Sequence, residues 1–467
     1  MSRVDYRNND KRRACVASII LTLLVCFSAY CDEKPEKESA SKISQEKDEK
    51  KSEPTELVSP RGIKFWHMKD ESAPLVHVRI AFKHAGSACQ KQEKAGVPFF
   101  YSIAVFCGCG KYSKTQFAKE CSNLASRISC EAGFDNIRFS MTAPKIVLDK
   151  TVDLFNASLT SPNFEEDKVK IIQNDVAYSM QNYAAEPFQV AFSSIIPSII
   201  FGSHPYRNGK LGSPENFLKL STNDLRNYKE KFLTTSRAEV CIFGDVSEDE
   251  AKSLIDRIFT NIPTGESVKI SEQYVSPTLN PEIRKYYAEG QQSSIFFILK
   301  TERPLSKKRY AAEILYRILG EGYNFKGLIL SKLRTENGLV YGGGITSVDL
   351  EHSSYMFGIL QTDNSKVQAA IDLLKKIIKD LKVNGINEKE LQFAKNNIKG
   401  NLMVRLRTSD DLCSFYFRKK LQGFGANALE DEIKKIDSVK LEEVNAFARK
   451  TLNENTLFIV IGGEKTS

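Results

Sequence analysis

A chain of 467 residues that is 41% hydrophobic and 27% charged has the make-up of globular material, and its length suggests two to three domains of about 150 to 200 residues each. The net charge is +9, of which the first 31 residues supply +3, from Arg3, Arg7, Lys11, Arg12 and Arg13 against Asp5 and Asp10. The remaining +6 is spread over a chain in which Lys and Glu interleave, so no basic stripe supports nucleic-acid binding.

In chain order, Lys11-Arg12-Arg13 precedes an uncharged run of 17 residues, 14–30, the basic-then-apolar pattern of an export signal. The run is short for a membrane span, which needs about 20 residues. Cys31 closes it and a charged segment follows, the arrangement of a lipidated cysteine on a tether, although Tyr30 is large for a lipoprotein cleavage site. A lipoprotein, a soluble periplasmic protein and an uncleaved anchor all fit, so the expected location is the periplasm or cell envelope. Residues 32–56 are Lys, Glu, Ser and Pro with little to bury, and read as a disordered tether.

The folded part begins near Leu57. Residues 74–82 alternate, with Val76, Val78, Ile80 and Phe82 on one face, the period of a half-buried strand. Helical spacing follows over 114–124, strand spacing over 137–141, then helical patterns over 147–159, 164–182 and 224–232, and a buried strand over 238–243 ended by Gly244.

The same order recurs in the second half. Val152-Asp153-Leu154 corresponds to Ile371-Asp372-Leu373 (371 − 152 = 219), and Val240-Cys241-Ile242 to Ile459-Val460-Ile461 (459 − 240 = 219). Leu225 and Tyr228 map onto Val444 and Phe447 at the same offset. One offset shared by distant segments indicates a duplicated domain, an α+β unit with a mainly antiparallel sheet packed with long helices. The expected division is 57–263, a linker at 264–281 rich in Pro and Gly, and 282–467.

Of ten cysteines, Cys89, Cys107, Cys109, Cys121, Cys130, Cys241 and Cys413 lie beyond the leader, and seven is odd. A chain this long does not need disulfide staples, so small buried residues with at most one bridge are expected. Cys107 and Cys109 form a lone C-x-C without a second pair, a weak metal signal.

Several motifs bear on function: the short helix after Gly96 leading to Phe106-Cys107-Gly108 and Ser113, His204-Pro205-Tyr206 with Leu211-Gly212-Ser213-Pro214-Glu215, the strand ending Gly244-Asp245-Val246, and Leu333-Arg334 with Gly338-Leu339-Val340-Tyr341. In this order and spacing the chain resembles the insulinase-like metallopeptidases, which include pitrilysin and the mitochondrial processing peptidase. The resemblance covers nearly everything from Leu57 to Gly463 and implies two tandem homologous domains forming a clamshell.

In that family the helix carries H-x-x-E-H. The histidines bind zinc, the glutamate is general base to the bound water, and a later glutamate completes the site, because zinc needs imidazole or carboxylate ligands and its acidified water needs a proton acceptor. Here the resemblance places Phe99 and Ile103 at the histidines, Ser102 at the base, and Ser179 at the later ligand, or Asp175 if the alignment slips by a turn. None of His67, His77, His84, His204 and His352 forms an i,i+4 pair that could rebuild the site. The chain alone is therefore expected to hold no metal and to be inactive.

The family also uses an arginine and a tyrosine of its second domain to bind the substrate backbone and stabilise the oxyanion. Arg334 and Tyr341 stand at that spacing, with glycines 342–344 following, and a guanidinium and a phenol are suitable donors for that task. The resemblance thus implies a non-catalytic subunit of a heterodimeric zinc endopeptidase, with zinc on the partner and peptide as substrate. The alternative is a structural or peptide-binding scaffold with no part in proteolysis, in which Arg334 is a solvated helix end and Tyr341 a core aromatic.

Overall fold

Each half of the chain builds one large sheet, and the first half adds a two-stranded ribbon of Gly108–Cys109 with Tyr112–Ser113. The computed structural model describes residues 53–181, 191–266, 274–320 and 327–463. The first sheet contains β1 (Thr55–Val58), β2 (Lys64–Lys69), β3 (Leu75–Lys83), β4 (Arg127–Ala132), β5 (Asn136–Pro144) and β6 (Ala238–Gly244), in the order β1-β2-β6-β3-β5-β4. The second contains β7 (Glu282–Tyr286), β8 (Gln292–Lys300), β9 (Gly342–Asp349), β10 (Ser354–Asp363) and β11 (Leu457–Ile461), and runs β7-β11-β8-β10-β9. That order is β2-β6-β3-β5-β4 over again. In each sheet one pairing is parallel, β2 with β6 and β7 with β11, and the rest are antiparallel.

The helices that position the site are α1 (Val97–Ala104), α2 (Glu166–Gln181), α3 (Ile196–Ile200), α4 (Thr222–Phe232), α5 (Ser409–Leu421) and α6 (Leu441–Thr451). α4 starts at a Ser221/Asp224 capping box, which satisfies backbone N–H groups that the first turn leaves open, and buries Leu225, Tyr228 and Phe232 along one stripe. α6 repeats α4 at the offset read from the sequence, at its first residue (441 − 222 = 219) and its last (451 − 232 = 219). The duplication is therefore a property of the fold.

One expectation needs correction. β3 is buried on both faces, with His77 and Ala81 as enclosed as Val76, Val78, Ile80 and Phe82. The reason lies in the other half of the chain. α5 packs Leu412, Cys413, Phe415, Tyr416 and Phe417 onto Trp66, Met68, Ala81, Cys241 and Phe243 of the first sheet. Its N-terminus meets the polar residues of that face: the Arg79 guanidinium pairs with Asp410, and His77 Nε2 lies 3.1 Å from Ser409 Oγ. Reciprocally, Ile195 and α3 residues Ile196 and Ile200 pack against Phe296, Ile298, Tyr355, Phe357 and Ile459 of the second sheet. α3 and α5 fall at equivalent places in the repeat (415 − 196 = 219). Each half lends the other a helix, and both belong to one compact unit.

Candidate functional site

α1 is short because of its neighbours. A Cβ at Gly96 would come within 2.4 Å of the Leu211 carbonyl and 2.9 Å of the Phe217 ring, so the L-G-S-P-E segment crosses the start of α1 only where no side chain intervenes. Pro98 then sits in the first turn, where its missing N–H costs nothing. Phe99 and Phe100 stack against Phe217, with ring centroids 6.4 and 5.1 Å apart, and Tyr101 lies between Phe164 and Tyr228 at 5.4 and 5.2 Å. Burial of this kind contributes about 1.5 to 3 kcal/mol per large side chain.

Phe99 is 9% exposed and Ser102 5%, while Ile103 is half-buried. The Ser102 hydroxyl donates to the Phe99 carbonyl at 2.8 Å, within its own helix. Facing α1, α2 is fixed by buried Gln173, whose Nε2 donates at 2.8 Å to both the Phe217 and Leu220 carbonyls. On α2, half-buried Ser179 donates to the Asp175 carbonyl at 3.0 Å, and the Asp175 side chain points to solvent. The structure thus brings Phe99, Ser102, Ile103 and Ser179 onto two packed helices, but the set offers two hydroxyls and no imidazole. It does not fit zinc. Among the described residues, no group of three His, Cys, Asp or Glu could hold a metal.

The remaining candidates have structural partners. His67 bonds the Val246 carbonyl at 2.9 Å, and His204 Nδ1 accepts from the Tyr206 N–H at 3.2 Å. His84 faces Glu351 at 3.5 Å, yet burial, assisted by Lys83 and Arg237, lowers its pKa to about 4. The seven cysteines among the described residues are free thiols, and burial raises Cys109 to about 12, which makes it a poor nucleophile or ligand. Cys31 lies outside the described residues.

Arg334 and Tyr341 stand just before β9, the edge strand of the second sheet. Arg334 is exposed on the one-turn segment Ser331–Glu336 that precedes the edge strand β9. Gly338, at φ 58°, reverses the chain, and its N–H returns to the Arg334 carbonyl at 3.0 Å. The Tyr341 N–H donates to the Gln361 carbonyl at 2.8 Å, and Lys366 Nζ to the Gly338 carbonyl at 3.2 Å, which fixes the turn to the end of β10. Tyr341 is 48% exposed, so the idea of it as a core aromatic is set aside. Its phenol donates to the Asp363 carboxylate, which raises the tyrosine pKa and lowers that of the aspartate. Asp363 is a site residue that sequence reasoning missed. It lies 22 positions from Tyr341, brought near only by the pairing of β9 with β10.

A second constellation also escaped the sequence. His77 Nε2 faces Ser409 Oγ at 3.1 Å, and Nδ1 faces Thr142 Oγ1 at 3.1 Å and Asp410 Oδ1 at 3.4 Å. The types are those of a nucleophilic triad. His77 and Ser409 are 2% and 4% exposed beneath α5, however, so this series joins two halves and does not meet a substrate.

Fold and site together define a duplicated α+β protein whose catalytic-position helix is a packing element. The chain belongs to the insulinase family: residues 66–212 match the profile described as "Insulinase (Peptidase family M16)", and residues 219–398 the one described as "Peptidase M16 inactive domain". Among its relatives are a protein named "Non-peptidase homolog YmxG" of Helicobacter pylori, 21% identical over 84% of this chain and 90% of that one, and an "Uncharacterized zinc protease YmxG" of Bacillus subtilis, 22% identical over 80% and 90%. A crystal structure of a peptidase M16 inactive domain from Pseudomonas fluorescens superposes with a TM-score of 0.79 at 19% identity, covering 89% of this chain and 98% of that one.

Proposed function

We propose that this chain is the non-catalytic member of a heterodimeric zinc endopeptidase of the cell envelope. It would present Arg334 and Tyr341 to a peptide held at a partner's zinc. The observation that carries the reading is asymmetric loss. The zinc positions on α1 have become a packed apolar surface, whereas Arg334 and Tyr341 are exposed on a turn tied down by backbone hydrogen bonds. The name of one relative, which denies it peptidase activity, and that of another, which asserts it, fit a family with both kinds of member. In this reading the guanidinium and the phenol donate to substrate oxygens, and Tyr341 must leave Asp363 to do so. The Tyr341–Asp363 bond also favours the second reading, a scaffold in which the phenol merely secures the β9–β10 edge.

The test is to purify the chain alone and together with a zinc-bearing homologue from the same organism. The isolated chain should be inactive and the pair should cleave peptides. Arg334→Ala or Tyr341→Phe should then lower kcat of the pair by about 10²- to 10³-fold, the loss typical of an oxyanion donor. Peptidase activity in the isolated chain with stoichiometric zinc would rule the proposal out. Unchanged turnover in both variants would favour the scaffold.

A further inference from the structure

A cavity of about 320 Å³ lies at the end of the second sheet, on the segment that leads into it from the first half. Its lining joins Lys300 at the end of β8 and Arg303 beyond it, Lys450 in the last turn of α6, and Tyr274 of the connecting segment. Ser354, the first residue of β10, completes it. The volume falls at the small end of the range for ligand sites.

The wall is rich in donors. Lys300 and Lys450 have no ion pair among the described residues. The Arg303 guanidinium lies over the Tyr274 ring, 4.9 Å from its centroid, a cation–π contact that holds it there without neutralising its charge. Tyr274 accepts the Ser354 N–H at 3.3 Å, which leaves the phenolic proton to donate. Ser354 is 1% exposed, and its hydroxyl has no hydrogen-bond partner. One carboxylate, Glu302, also lines the cavity and accepts the Ser306 hydroxyl at 2.7 Å, so the three cations outnumber it. The carbonyl end of α6 opposes an anion, but Lys450 sits at that end and offsets it.

We infer that this cavity binds a small multivalent anion, carboxylate or phosphate in nature, held by Lys300, Arg303 and Lys450 and by the hydroxyl of Tyr274. A ligand here would bridge the connecting segment, the end of β8 and the end of α6, and would stabilise the folded chain. The site is independent of Arg334, Tyr341 and any partner subunit.

The experiment uses the full chain, with citrate and inorganic phosphate as probes and potassium chloride matching the ionic strength. Thermal unfolding and titration calorimetry should both show saturable, one-to-one binding, with Tm rising with the logarithm of probe concentration. A response to citrate alone assigns the site to carboxylates, such as a peptide C-terminus, and a response to phosphate alone to phosphate esters. The Lys300→Ala/Lys450→Ala double variant changes only exposed side chains and should weaken the response by about tenfold or more. Tyr274→Phe should weaken it as well. Equal shifts with chloride, equal shifts in the double variant, or no saturable binding of either probe up to millimolar concentration would overturn the inference.

Discussion

At the scale of single residues, α1 shows how a catalytic position becomes a structural one. Ser102, which the family resemblance sets at the place of the general base, is 5% exposed and bonded to its own helix. Ser102→Glu would bury a carboxylate without a counter-charge, and urea unfolding should show a loss of at least about 3 kcal/mol. The neighbouring Tyr101 carries the opposite expectation. Its hydroxyl is buried without a hydrogen-bond partner, so Tyr101→Phe should leave stability unchanged or raise it by about 1 kcal/mol in the same assay. A loss of 2 kcal/mol or more, about twice the net worth of an ordinary hydrogen bond, would mean that this hydroxyl has a partner in solution.

At the scale of elements, α5 is the one that most changes its surroundings. It turns the polar side of β3 into an interior, and His77 is caught beneath it. Burial lowers the His77 pKa, Asp410 pulls the other way, and Arg79 reinforces the lowering. His84 and His204 are lowered too, burial again being the first cause. A histidine whose folded pKa is depressed stabilises the fold fully above its unfolded pKa, 6.5, and loses that contribution as pH falls toward the folded value. Stability should therefore be level above about pH 7 and decline as the pH falls below 6.5. The decline should be shallower in His77→Gln, as read from urea midpoints across the range. An identical slope in that variant would assign the decline to other groups. The sheets show a further adjustment between repeats: β3 sets Ile80 opposite Phe139 in β5, whereas β8 sets Phe297 opposite Gly358 in β10. Phe139 and Gly358 are separated by the repeat offset (358 − 139 = 219), and the Phe297 ring fills the space that a Cβ at Gly358 would need, 2.1 Å away.

At the scale of the whole molecule, the exchange of α3 and α5 makes the two halves interdependent. Residues 53–266 alone would leave Trp66, Met68 and Phe243 uncovered, and residues 274–463 alone would leave Phe296, Tyr355 and Phe357 uncovered. Expressed separately, each half should aggregate or bind a hydrophobic dye, and co-expression should restore a cooperatively unfolding complex. A monomeric, cooperatively folded single half would contradict the exchange. The proposed pairing with a zinc-bearing homologue belongs to this scale as well, because it asks one intact molecule of this kind to face another.

How much of this was readable without coordinates depends on the range of the interaction. The sequence alone set the repeat and the strand and helix periods, since each follows from spacing along the chain, whereas the reading of α1 as lacking zinc ligands rests on the family resemblance that assigns the ligand positions. An apolar residue at a ligand position cannot bind zinc in any fold. The half-buried reading of β3 failed because the helix that covers His77 begins 332 residues later. The bond from Tyr341 to Asp363 depends on strand register, which periodicity leaves open. The cation-lined cavity likewise gathers Tyr274, Lys300, Ser354 and Lys450 from four separate stretches. Tertiary structure decided these points because burial and hydrogen bonding act between whatever surfaces the folded chain brings together.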